Sequence, residues 1–198
     1  MKKWWLLLLV STSALANPQQ ELSKRLSSTE GFSAHFDQQV ISPEGDVIMQ
    51  GEGEVDVARP SLFRWHTQSP DETVLVSNGK TLWYYSPFVE QVTLYNPDQA
   101  TAQTPFILLT RNQDSDWQQY QVSQKQDTFT LVSKEKSQSG SQYQITISAK
   151  GLVDQFKVIE QDGQTSTFDF SQFNNGYQDT SRYNFNVPKG VDIDDQRQ

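Results

Sequence analysis

From Gly31 onward, apolar and polar residues alternate with the two-residue period of β-strands. Phe32, Ala34, Phe36 and Val40 alternate with Ser33, His35, Asp37 and Gln39. After a Glu44-Gly45 turn, Val47, Met49, Val55 and Val57 share one side, and Glu52, Glu54 and Asp56 take the other. Gly51 and Gly53 fall on the apolar side and predict a bend or a close approach there. Asn78-Gly79 is the strongest hairpin signal and joins "TVLVS" to "KTLWYYS" through a type I′ turn. Further on, Tyr143, Ile145, Ile147 and Ala149 alternate with polar residues, and Lys150-Gly151 and Asp162-Gly163 read as turns. Phe168 and Phe170 share a face, as do Tyr183, Phe185 and Val187.

Two segments leave this period. Pro18 to Glu30 reads as an amphipathic helix, with Pro18 in the first turn, Leu22 and Leu26 four residues apart, and Gly31 at the cap. "TPFILLTRN" (Thr104 to Asn112) starts with an N-cap Thr and a Pro, and its centre from Phe106 to Leu109 is apolar all round. The expected fold is mainly β with short helices (α+β). It is one strongly curved antiparallel sheet of about ten to eleven strands in a single domain.

The stretch "ARPSLFRWHTQSPDETVLVSNGKTLWYYSPF" places apolar side chains on both faces of its strands. Phe63 and Trp65 point one way and Leu62 the other; Trp83 and Tyr85 oppose Leu82 and Tyr84. An ordinary antiparallel sheet keeps one face wet, so the second face needs a cover. Two readings satisfy the pattern: an ordinary two-layer core, or helices acting as a lid over an apolar cavity.

Composition narrows the function. "MKKWWLLLLVSTSALA" has a basic start, a short apolar run and a small-x-small site, which reads as a secretory signal peptide over residues 1–16. The domain then runs over 17–198; the short, Lys-led signal suits a bacterium, with the periplasm or beyond as the destination. No Cys follows the apolar run, so no lipid anchor of its own is expected. The formal charge of −8 becomes −10 once Lys2 and Lys3 are removed, which argues against nucleic acid and anionic lipid surfaces as partners. Without Cys there is no disulfide, thiolate metal site or Cys nucleophile. His35 and His66 read as surface residues with no acid at ligand spacing, so no metal site is expected. "GEGEVD" lacks the third Gly and the helix of a dinucleotide fingerprint. "DIDD" at Asp192 to Asp195 reads as a solvated acidic tail.

The segments "ARPSLFRWHTQSPDETVLVSNGKTLWYYSPFVEQVT", "TPFILLTRNQDSDWQQYQV" and "VPKGVDIDDQ" resemble the LolA family of periplasmic carriers of outer-membrane lipoproteins. The resemblance implies an incomplete β-barrel whose apolar cavity is closed by a helical lid. It implies a lid latch in which Arg59 donates to backbone carbonyls of Leu26, Leu109 and Thr110. It places Phe63 at the cavity mouth. Trp65, Met49, Leu75, Leu82, Trp83, Tyr84, Phe106 and Leu108 are the lining expected beside it. The implied function is non-enzymatic: a monomer with no cofactor takes lipoproteins from the LolCDE complex and delivers them to LolB. A carrier of another amphiphile, or a hydrolase of lipid or peptidoglycan fragments, are the alternatives.

Overall fold

Hairpin follows hairpin along most of this chain, and the sheet order records it. The computed structural model describes residues 17–97, 106, 108–134, 140–176 and 179–197. A first meander contains β1 (Gly31–Ile41), β2 (Val47–Ala58), β3 (Leu62–Ser69), β4 (Thr73–Asn78), β5 (Leu82–Ser86) and β6 (Gln91–Tyr95). A second contains β7 (Tyr120–Lys125), β8 (Thr128–Ser133), β9 (Gln142–Ile147), β10 (Val153–Ile159) and β11 (Thr165–Asn175). β11 returns to pair with β1, so both meanders merge into one open, strongly curved sheet of twelve strands. Its order is β12-β6-β5-β4-β3-β2-β1-β11-β10-β9-β8-β7.

The twelfth strand adds backbone pairing to the expected acidic tail, whose side chains stay mostly exposed. β12 (Asp192–Asp195) lies parallel to β6, with Asp192 opposite Gln91 and Asp195 opposite Leu94. Backbone N–H groups of Asp192 and Gln196 donate to Glu90 and Leu94 carbonyls, both at 2.9 Å. The pairing is parallel because the chain first crosses the convex face from β11. On the way it makes a 3-10 turn (Thr180–Tyr183) against β3 and β4. Tyr183 is therefore buried in that turn and does not share a strand face with Phe185.

The other elements include α1 (Pro18–Leu26), α2 (Leu108–Arg111) and α3 (Asp114–Gln118). The Asn17 side chain caps α1 by accepting from the Gln19 N–H. α1 ends four residues short of the expected Glu30, because Gly31 opens β1 instead of capping the helix. A Cβ on Gly31 would lie 2.4 Å from the Val57 carbonyl oxygen, so close strand approach requires glycine there. The expected Asn78-Gly79 hairpin forms, but with a three-residue loop in which only Gly79 has positive φ (82°). The Asn78 side chain accepts from Lys80 and Thr81 N–H, which stabilises that longer turn. The expected signal peptide (1–16) and the Thr104-Pro105 helix start lie outside the described residues. No described helix is long and apolar enough to cross a membrane.

Gly53 explains the apolar-side glycines. Phe36 pairs across from it, and a Cβ there would lie 2.5 Å from the Phe36 ring and 2.1 Å from the His66 carbonyl oxygen. The missing side chain is what lets the Phe36 ring lie flat on β2. Gly53→Ala is expected to cost about 1–3 kcal/mol of stability through overpacking, read as a lower denaturation midpoint. An unchanged midpoint would contradict this packing.

Candidate functional site: the concave face and its lid

The concave face gathers its side chains by register. On β3, Phe63 and Trp65 face inward, and Trp65 pairs with Val55 on β2 and Leu75 on β4. Leu75 in turn pairs with Tyr84, and Ser77 with Leu82, so Leu82 and Tyr84 share this side. Phe36 stacks on Trp65 with ring centroids 4.1 Å apart, and Trp65 stacks on Phe106 at the same 4.1 Å. Phe168 meets all three rings edge-on, at 6.0, 5.3 and 4.8 Å respectively. Phe106 also touches Phe156 at 4.7 Å. The third ring of the stack thus precedes α2 in the chain, while the first two belong to the sheet.

Three short helices close the space. Leu22 and Leu26 of α1, Leu108 and Leu109 of α2, and Trp117 of α3 are all buried in the same apolar cluster as Phe36 and Trp65. Asn112 couples them. Its φ of 48° turns the chain between α2 and α3, and its side chain then reaches α1. Nδ2 donates to the Ser23 carbonyl at 2.9 Å and to Ser27 Oγ at 2.8 Å, and Oδ1 accepts from Trp117 Nε1 at 2.9 Å. Arg25 ties α1 to the far strands: it pairs with Glu21 and Asp127, donates to the Ile147 carbonyl at 2.8 Å and lies over the Phe129 ring. The pattern alone shows the Glu21–Arg25 spacing and an Asn after a helix. It does not show Asp127, Ile147 or Ser23 as partners, which are long-range.

The expected site residues separate into groups. Trp65, Leu75, Phe106 and Leu108 meet in the concave cluster. Met49 lies on the same side opposite Val40, toward the outer end of β1 and β2. Leu82 is buried against Tyr95, away from the main cluster, and Tyr84 is exposed. Phe63 is 1% exposed and packs into the core beside Trp65, so it is not an open mouth residue here. Trp83 is a correction: it pairs with Val76 and Leu94 and faces the convex side. There the returning C-terminal segment covers the sheet, with Phe185 5.4 Å from Tyr85. The convex apolar face is thus covered by that segment, and the concave face by the helical lid.

Arg59 stands at the β2–β3 turn, beside a groove of ≈ 520 Å³ lined by Ser27, Thr29, Leu62, Asn112 and Thr180 among others. Its Nη1 donates to the Thr29 carbonyl at 3.5 Å, while Nε and Nη2 are buried without a partner. Burial pulls its pKa down to about 10. Leu26, Leu109 and Thr110 are buried nearby in the lid helices, but their carbonyls are not the acceptors Arg59 uses here. Asp56 shares a strand side with the exposed Glu52 and Glu54 but is itself buried. It is 1% exposed, its Oδ1 is 2.9 Å from Arg182 and its Oδ2 is 3.5 Å from Arg64. Burial pushes its carboxyl pKa up, and the two arginines oppose that shift.

The arrangement encloses an apolar interior beneath the helices, and comparison with known proteins identifies the family. Residues 27–186 match the family model described as outer membrane lipoprotein carrier protein LolA. The chain belongs to the LolA family. Among its LolA-family relatives, the outer-membrane lipoprotein carrier protein of Vibrio vulnificus is 59% identical over 197 residues and covers 100% of both chains. That of Aliivibrio fischeri is 55% identical over 198 residues, again across 100% of both. A LolA superfamily structure from Nitrosomonas europaea shares the fold with a TM-score of 0.53 at 11% identity, covering 85% of this chain and 98% of that one. A structure from Thermus thermophilus does so with a TM-score of 0.55 at 12% identity, covering 90% and 98%.

For this LolA-family chain the Asn112 link is testable. Asn112→Ala removes two donated bonds and leaves the buried Trp117 N–H without an acceptor, at a cost of about 1–3 kcal/mol. Thermal unfolding should start earlier, and acrylamide should quench Trp117 more readily. Unchanged quenching would show that the three helices do not depend on this side chain.

Proposed function

We propose that this chain is a periplasmic carrier that shields the acyl chains of outer-membrane lipoproteins; its Vibrio and Aliivibrio relatives are named outer-membrane lipoprotein carrier proteins. The carrying observation is the concave aromatic stack whose third ring, Phe106, enters from outside the sheet. Acyl chains displace Phe106 and the lid leucines and take their apolar contacts. Each buried CH₂ contributes roughly 0.8 kcal/mol, so long acyl chains released into water would cost tens of kcal/mol. A carrier that accepts them must offer comparable apolar surface and must also give it back. Lid side chains that refill the interior make release possible.

The donor in this reading is the LolCDE complex, the acceptor is LolB, and the carrier acts as a monomer without catalysis. Arg59 serves as the latch. On latching, the Nε and Nη2 groups that lack acceptors in the described structure take the carbonyls of Leu26, Leu109 and Thr110, at helix ends where carbonyls lack intrahelical partners. The support is its place below the α1–β1 turn with two N–H groups lacking acceptors. Cargo entry breaks those bonds and cargo exit restores them, so the latch weakens binding and favours release. Charge-assisted bonds contribute about 1.5–3 kcal/mol each.

Two measurements test the proposal. Mass spectrometry of the carrier isolated from periplasm should find lipid-modified proteins bound; a preparation carrying only free fatty acid would contradict it, as would turnover of a lipid substrate. Arg59→Leu should load from donor membranes at least as well as the parent, with the balance shifted roughly 10²-fold toward the loaded carrier. Its transfer to a soluble acceptor should be poor. Poor loading with normal release would remove the latch.

A further inference from the structure

The convex face of β1 and β2 carries a group of side chains that the carrier reading does not use. Asp37 pairs across from Glu52, and His35 across from Glu54, so all four stand on one side of the sheet. Asp169 on β11 extends the row beside Asp37. His35, Asp37 and Glu52 each bring a ligand atom within 4.8 Å of the other two. The expectation of two histidines without nearby acids therefore fails: Asp37 stands two residues along the same strand face, and Glu52 arrives by cross-strand pairing.

The two histidines differ in a way that matters. His66 Nε2 meets Glu72 at 2.9 Å, a closed hydrogen bond with one partner. His35 Nε2 lies 3.7 Å from Asp37 Oδ1 and 4.0 Å from Glu52 Oε2, too far to bond either carboxylate. Three ligand atoms converge without closing on one another. Zinc bonds of about 2.0–2.2 Å at the tetrahedral angle hold ligand atoms roughly 3.3–3.6 Å apart. The two separations from His35 are within a few tenths of an ångström of that, a distance that Asp and Glu side-chain rotation covers.

The backbone supports the same arrangement. The β1–β11 ladder shifts register between Ser33 and His35, and the β2–β3 ladder shifts between Glu52 and Gly53. Such bulges re-aim side chains, and here they flank two of the three ligands. Beside His35 opens a hollow of ≈ 210 Å³ lined by Ser33, Glu54, Asp56, Gln172 and Arg182, which leaves space for water on the ion.

We propose that His35, Asp37 and Glu52 form a binding site for a single Zn²⁺ ion on the convex face, separate from the lipid-carrying interior. Imidazole selects zinc over hard cations, and the two carboxylates supply the negative charge. With three protein ligands the fourth position stays open to water or to a donor group from another protein.

The test is titration of Zn²⁺ into the untagged full chain by calorimetry in a non-coordinating buffer. One saturable site is expected, at least tenfold weaker in His35→Gln and in Glu52→Gln and unchanged in His66→Gln. NMR should show the His35 Cε1–H resonance moving on zinc addition while that of His66 stays. Mg²⁺ in large excess should not displace the ion. Circular dichroism of each variant checks the fold, which these solvent-facing changes leave intact. Zinc binding that survives His35→Gln, that His66→Gln abolishes, that never saturates or that Mg²⁺ removes would overturn the site.

Discussion

The stack of Phe36, Trp65 and Phe106 is the contact on which the rest of the molecule depends. Two of its rings are fixed to β1 and β3, and the third arrives just before α2. A curved sheet turns more apolar surface inward than its own side chains fill. That surface must be covered, and a cover on short helices is held mostly by packing, since helices this short have little intrinsic stability. Leu22, Leu26, Leu108, Leu109 and Trp117 supply the packing. In the proposed carrier, the apolar contacts that close the empty interior are those an acyl chain competes for, so closure and cargo binding are alternatives drawn from one set of side chains.

Polar contacts tie particular elements to one another. Asn112 ties α1 to the α2–α3 turn, so the three helices are coupled to one another. Arg25 ties α1 to β8 and β9 through Asp127, Ile147 and Phe129, which fixes one side of that group. On the opposite face, Asp56 with Arg64 and Arg182 fastens the C-terminal segment over β3 and β4. A buried carboxylate is costly alone and tolerable between two guanidinium groups. The convex side is thereby pinned by charge and the concave side is packed by apolar contact, a division that suits a rigid wall opposite a removable cover.

Strand faces in the first meander were legible in the sequence, because a period of two assigns Phe32, Phe36, Phe63 and Trp65 to one side without knowledge of partners. Trp83 was not legible: its neighbours Leu82 and Tyr84 are also apolar, and only the pairing with Val76 shows that it faces outward. Asp56 alternates like Glu52 and Glu54, and nothing local distinguishes a carboxylate that a distant arginine will bury. The C-terminal crossing escaped for a related reason. A parallel edge strand reached through a 3-10 turn leaves no hairpin signal, and "DIDD" has the composition of a solvated tail. Glu52 joined His35 and Asp37 only once the β1–β2 register was known.

Amide hydrogen exchange of the chain with and without a bound triacylated lipoprotein tests the central claim most directly. If lid side chains and acyl chains compete for one interior, loading should lower protection in α1 and across residues 108–118. Protection in β1 to β3 and β9 to β11 should persist. Equal or greater protection of the helices in the loaded carrier would contradict the account, since cargo would then bind without displacing the lid.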